Sequence, residues 1–403
     1  MKTAGLIVEY NPFHRGHLYH IEKTKEVTGA DTVIAVMSGN FVQRGAPAVM
    51  PKHLRAECAL LGGASAVIEL PVCYASASAE YFAWGAVSLL ERLGCVDAVC
   101  FGSECGDIRI LEEIADILEN EPEEYKASLK ESLKTGLSFP LARQHALEQY
   151  ADILSKPNNI LGIEYLKALK RLNSPMKTYT IRRAGAGYHD AEIRDALSSA
   201  TAIRANIDNL SEIKRQIPEN CHAVIQKAYR RKFPVQSNDF SLLLKAKLLS
   251  ETPDSLSRYA DVSRELANRI INCRNDFLNI EQFCGLLKTK ELTYSRISRA
   301  LFHILLNITS QAMADYREAG SIFYARVLGF REEDAALLRL LKQSSQVPVI
   351  TRLSQKKYLD THGASMLDTD IYAADLYESV VTERFQTPFI NERQQSVLKL
   401  PLP

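Results

Sequence analysis

Several large classes of protein are excluded by what this sequence lacks. Its 403 residues hold no apolar run of about 18 residues, the length a membrane-spanning helix needs. Eight cysteines (Cys58, Cys73, Cys95, Cys100, Cys105, Cys221, Cys273 and Cys284) include no Cys-x-x-Cys pair, so neither a zinc site nor a disulfide framework is expected. They read as reduced, largely buried thiols. No internal repeat or low-complexity tract is present, and the chain enters its first strand without the apolar core of a signal peptide, so a cytoplasmic protein is expected. A net charge of +1 gives no whole-molecule case for nucleic-acid binding.

The apolar content, 46%, is ample for a packed core, and the length suits two or three domains. Charge is unevenly spread. Residues 1–150 carry 13 Lys+Arg against 20 Asp+Glu, whereas residues 211–303 carry 16 against 10. The two parts are expected to do different work.

Short apolar runs alternate with helix-like segments as far as residue 205: 4–9, 32–37, 66–70, 98–101 and 178–182. Strands separated by helices imply right-handed crossovers and a doubly wound parallel α/β sheet, which binds ligands at the carboxyl ends of its strands. Residues 107–172 read as a helical insertion, and the pattern after Ser211 is almost wholly helical to about residue 345. The division is therefore 1–208, a nucleotide-binding catalytic domain, and 209–403, a mainly α-helical domain whose last ten residues look like a tail.

The densest chemistry follows the first strand. Gly5-Leu6-Ile7-Val8 leads into Glu9-Tyr10-Asn11-Pro12-Phe13-His14-Arg15-Gly16-His17, then Leu18, Tyr19 and His20. His14 and His17 share one face of a first helical turn, and Gly16 between them would let a phosphate approach backbone N–H groups. This resembles the His-x-Gly-His signature of the nucleotidyltransferase superfamily, in which the two histidines contact ATP phosphates. The plain alternative is a helix with two satisfied histidines near its start.

A second constellation, Ser38-Gly39-Asn40-Phe41-Val42-Gln43-Arg44-Gly45-Ala46-Pro47, follows the second strand. Arg44, with Lys52 and Arg55 beyond it, would suit a triphosphate or a small carboxylate, although Lys52 and Arg55 equally fit a solvated helix face. A third, Ser198-Ser199-Ala200-Thr201-Ala202-Ile203-Arg204, resembles the Ile-Ser-Ser-Thr-x-Ile-Arg motif of small-molecule adenylyltransferases, with Ala200 replacing a serine. Ser199 and Thr201 would cap a helix whose N-terminus and Arg204 hold phosphates.

The opening motif, the Ser38–Pro47 loop, Phe101-Gly102-Ser103-Glu104 and Lys156-Pro157-Asn158-Asn159-Ile160-Leu161-Gly162 together resemble the bacterial tRNA(Met) cytidine acetate ligase family. The likeness extends to Thr293-Tyr294-Ser295-Arg296-Ile297 and Arg326-Val327-Leu328-Gly329-Phe330, over most of the chain. It implies activation of acetate by ATP and Mg²⁺ to acetyl-adenylate, then transfer of acetyl to the wobble cytidine in the anticodon of elongator tRNA(Met). It also implies that residues 7–20 line the ATP site and that Gly102, Asn158 or Asn159, Arg182 and Arg183 complete it. His14, His17, Arg44 and Arg204 are the catalytic candidates.

The basic region then gains an RNA-binding role through Arg230, Arg231 and Lys232 beside Tyr229 and Phe233, and through Lys288, Lys290, Arg296 and Arg299 beside Tyr294. No general base for acetyl transfer stands out; Glu9 and Glu104 are the carboxylates at hand. Two other readings stay open: a small-molecule adenylyltransferase of the coenzyme A or dinucleotide type, and a non-catalytic RNA-binding adaptor with a vestigial nucleotide pocket.

Overall fold

The five apolar runs of the first half become the parallel strands that their alternation with helices predicts. The structure, a computed structural model, describes residues 1–183 and 200–401. Its strands are β1 (Thr3–Val8), β2 (Thr32–Ser38), β3 (Phe41–Val42), β4 (Ala46–Pro47), β5 (Ala66–Leu70), β6 (Ala98–Ser103), β7 (Lys177–Arg182), β8 (Ala325–Arg331), β9 (Val349–Ile350) and β10 (Leu398–Leu400). The main sheet runs β10-β8-β5-β2-β1-β6-β7 with β9 beside β8, while β3 and β4 form a small antiparallel hairpin.

β1 pairs in parallel with β2 on one side and β6 on the other. The chain therefore winds outward from β1 in one direction and then the other. The crevice where the strand order reverses lies at the carboxyl ends of β1 and β6. β1, β2 and β5 are buried along their whole length, as strands covered by helices on both faces must be.

Alternation along β1 splits the core in two. Ile7 faces one cluster, which takes in Phe82 and Leu89 of helix Ala79–Leu93 and Tyr165 and Leu169 of helix Pro157–Arg171. Leu6 and Val8 face the other, which receives Ile21 of helix Arg15–Thr28. The expected insertion is helical, with helices Ile108–Asn120, Glu123–Lys134, Phe139–Ala146 and Pro157–Arg171.

The C-terminal half is mainly helical but returns to the sheet. β8 lies antiparallel to β5, and β10 lies parallel to β8, so Leu398–Leu400 is a strand and not a tail. Gly329 makes this possible: a Cβ there would stand 2.8 Å from both Leu398 Cβ and Leu60 Cδ1. The change of composition near residue 208 is not a break in packing. Phe41 of β3 meets Phe240, Phe302 and Tyr377 at ring-centroid distances of 5.6, 5.7 and 6.2 Å. Among the described residues no helix is long and apolar enough to cross a membrane.

Candidate active site

The turn after β1 is built around its histidines. His14 is the N-cap of helix Arg15–Thr28: its Nδ1 accepts the Gly16 N–H at 3.1 Å, while His17 Nδ1 accepts the His14 N–H at 3.3 Å. Both rings thus spend Nδ1 as an acceptor, which places their protons on Nε2. The rings stack with centroids 3.7 Å apart and planes 29° from parallel. Tyr10, held at φ 48°, supports them from behind, its ring 4.8 Å from that of His17.

Gly16 is required for a reason the sequence does not show. A Cβ there would lie 2.9 Å from His14 Cε1, so the missing side chain makes room for the folded-back imidazole itself.

Burial and the nearby Arg183 and Arg204 hold the His14 imidazole down to about 3. Burial, His14 and Arg183 keep His17 well below its ordinary range, and burial with Arg183 brings His20 to about 4. All three rings are neutral at physiological pH. Buried Nε2 atoms of His14 and His20 have no partner among the described residues. A buried donor left unsatisfied costs about 1–3 kcal/mol.

These groups open on a cleft of about 820 Å³, well sized for a nucleotide-like ligand given the roughly 300–1,000 Å³ typical of such sites. Ile7, Val8, Glu9, Tyr10, Asn11, His14, Gly16, His17, Tyr19 and His20 line it, as do Arg44, Gly102, Asn158, Arg182, Arg183, Thr201 and Arg204. Arg204 is aimed by two bonds, to the Asn11 carbonyl at 2.8 Å and Thr201 Oγ1 at 3.0 Å. Glu9 Oε1 accepts the Gln43 N–H at 2.9 Å and so ties the β3–β4 hairpin, which carries Arg44, to the end of β1. Ser199 lies outside the described residues.

Other candidates stand behind this surface. Phe13 packs under Gly62, where a Cβ would come 2.4 Å from its ring, and Pro12, Arg15 and Leu18 do not line the cleft. Asn159 is a structural clamp: its Oδ1 accepts the N–H groups of Glu104 and Cys105 at 2.9 and 3.1 Å. Glu104 in turn accepts the Asn159 N–H at 2.8 Å and the Asn158 side chain at 2.6 Å, which closes the N-terminus of helix Pro157–Arg171. Of the adjacent asparagines, Asn158 therefore faces the cleft, within 3.4 Å of Arg183 Nη1.

Lys52 and Arg55 neither touch phosphate ground nor meet solvent. Lys52 Nζ sits 2.7 Å from Glu69 and 2.9 Å from Glu392, in a buried group closed by Arg326, whose Nη1 is 3.0 Å from Glu69 and whose Nη2 also reaches Glu392. Arg55 binds the carbonyls of Met50, Ser38, Glu9 and Gly39 and so ties together the turns after β1 and β2.

Arg230, Arg231, Lys232, Lys288, Lys290 and Arg296 lie toward solvent. Arg299 is engaged differently: it pairs with Asp261 at 3.0 Å, and its backbone seats so closely on the hairpin that a Cβ on Gly45 would lie 2.3 Å from Arg299 Cα. Sequence reasoning missed the cleft residues Phe82, Tyr165, Gln236 and Glu281, and took Phe101 only as part of the Phe101–Glu104 turn. Phe82 and Tyr165 carry the periodicity of core, and nothing in the local sequence marks Gln236 or Glu281.

Known proteins resemble this chain in sequence and fold. The family model for HIGH nucleotidyl transferases matches residues 1–392. A tRNA(Met) cytidine acetate ligase of Alkaliphilus metalliredigens is 39% identical over 401 residues, covering 94% of this chain and 95% of the relative. One from a Thermoanaerobacter species is 43% identical over 386 residues with the same coverage. Thermotoga maritima TmcAL matches over the full length of both chains, at 33% identity and TM-score 0.92 for the apo form and at 32% and 0.91 for the form bound with alpha-thio ATP. Over nearly its whole length this chain belongs to the tRNA(Met) cytidine acetate ligase family of HIGH nucleotidyl transferases.

Proposed function

We propose that this chain is an ATP-dependent ligase that activates acetate as acetyl-adenylate and passes the acetyl group to the N4 amine of the wobble cytidine of elongator tRNA(Met). The observation that carries the reading is the stacked pair of neutral imidazoles at a helix N-terminus, both lining a cleft flanked by Arg204, Arg183 and Arg44, with the His14 Nε2 without a partner among the described residues.

Acetate oxygen attacks the α-phosphorus of ATP, the bond to the β-phosphate oxygen breaks, and pyrophosphate leaves. Charge grows on the α-phosphoryl oxygens during this step, where preorganised N–H donors stabilise it most. His14 and His17 supply them, while Arg204 and Thr201 meet the outer phosphates. Gly102, Asn158, Arg182 and Arg183 hold the nucleoside. The cytidine amine then attacks the acetyl carbonyl carbon, expels AMP and loses a proton. Anticodon bases are already unpaired, so presenting one costs little.

Mg²⁺ would reach this site on the phosphates of its substrate. Among the described residues no group of three His, Cys, Asp or Glu side chains could hold a metal ion, and Mg²⁺ commonly arrives on phosphate oxygens with few protein ligands. Arg230, Arg231, Lys232, Lys288, Lys290 and Arg296 would neutralise tRNA phosphates, and the reaction would take place in the cytoplasm.

The test is exchange of labelled pyrophosphate into ATP, followed by mass analysis of nucleosides from added tRNA. Exchange that requires acetate, with acetylated cytidine as product, is expected. Exchange driven instead by a phosphorylated acceptor would replace the ligase with a small-molecule adenylyltransferase.

A further inference from the structure

The cleft has a second wall that phosphate chemistry does not use. Ile7, Phe82, Phe101 and Tyr165 line it, each no more than 8% exposed, and all belong to the core on the face of the sheet opposite helix Arg15–Thr28. A ligand touching both walls must lie across the end of β1, with a polar end at the histidines and an apolar end here.

This wall cannot retreat. Phe101 is pinned from behind by helix Pro157–Arg171, where a Cβ on Gly162 would fall 2.5 Å from its ring, and from the side by the Tyr165 ring at 5.6 Å, edge to face. Phe82 stands one helical turn from Ala79, which also lines the cleft. Tyr165 is the exception to the apolar lining. Its hydroxyl has no hydrogen-bond partner among the described residues, and Glu9 is close enough to help burial push its phenol upward.

We propose that this compartment is the acyl pocket: Ile7, Phe82 and Phe101 receive the methyl group of a short carboxylic acid, the Tyr165 hydroxyl donates to its carboxylate, and the fixed depth selects acetate over longer acids. The inference rests on the ligase reading and adds to it the groups that set acyl length. An extra methylene would have to displace a side chain that has no free volume behind it.

Pyrophosphate exchange with acetate, propionate and butyrate tests it. In the unaltered protein kcat/KM falls by roughly 10- to 200-fold for the first added methylene. Phe82→Ala narrows that gap to a few-fold, and Ala79→Val, a change at the rim that leaves the buried aromatic wall intact, widens it. Tyr165→Phe raises KM for acetate and leaves KM for ATP unchanged.

If the unaltered protein uses all three acids equally, the pocket is wrong and the ligase reading stands. If no carboxylic acid supports exchange, the ligase reading falls first. If the three variants lower activity with every acid by one common factor, these residues only hold the fold, and the proposal is overturned.

Discussion

Two cationic clusters sit at the same end of one sheet, and they differ in what faces them. Lys52 and Arg326 are matched by Glu69 and Glu392, in a closed group with no opening to solvent. Beside β1, Arg183 and Arg204 stand near the neutral His14 ring, and neither forms an ion pair among the described residues. A cluster whose cations each face a carboxylate stabilises the fold, whereas one whose cations have no such partner among the described residues is suited to an anion. Position at a strand end is shared by both and distinguishes nothing.

Breaking the open cluster should have the largest effect on chemistry. His14→Asn and His17→Asn, which keep a short polar acceptor at the helix start, should each lower the acetate-dependent exchange rate by about 10²–10³-fold with little change in thermal unfolding. If either variant exchanged pyrophosphate normally, the contrast between the clusters would lose its functional half.

Breaking the closed cluster should act on stability instead. Glu69→Gln or Arg326→Met leaves a buried charge unmatched and should cost about 3–5 kcal/mol in urea unfolding. Activity per folded molecule should survive, and an Arg326→Met protein that is stable but inactive would contradict the comparison.

Acid should separate the clusters further. His14 is held near 3 in the folded protein, so as pH drops below about 6.5 the unfolded chain takes up a proton that the folded one refuses. Stability then falls by about 1.4 kcal/mol per pH unit on account of His14 alone, until its folded value is reached. His14→Asn should flatten that slope between pH 6 and pH 4 on the order of this amount, as read from denaturant midpoints.

The smallest effects should come from the outlying cations. Arg230→Glu or Lys288→Glu should weaken tRNA binding and reduce its log–log salt slope by about one for each phosphate no longer neutralised. Pyrophosphate exchange without tRNA should not change. A loss of exchange in either variant would tie the basic surface to the first half-reaction.

Much of the site is legible in local sequence because one continuous turn builds it. Strand, His-x-Gly-His and helix start are adjacent, so their geometry follows from spacing. Arg204 is legible for a similar reason, since its Ile-Arg context is not that of a plain cap. Other features depend on what arrives from elsewhere. Lys52 reads as a possible phosphate ligand until Glu69 and Glu392 meet it. Asn158 and Asn159 are neighbours in one motif, yet helix geometry sends one to the cleft and the other beneath Glu104. Phe82, Phe101 and Tyr165 are core by pattern and wall by location. β8 hides behind Arg326, a charge that looks foreign to a buried strand until its carboxylates are seen.

The closed cluster also spans the whole chain, since His53 meets Glu392 across 339 positions of sequence. Until that late segment docks, Lys52 and Arg326 share a single carboxylate, Glu69, between them. Contacts so remote form slowly, because loop closure precedes any reward. Final assembly of the sheet edge should thus be a late, cooperative event, and a protease cutting just beyond helix Thr361–Phe385 would undo it by releasing Glu392 from the rest of the chain.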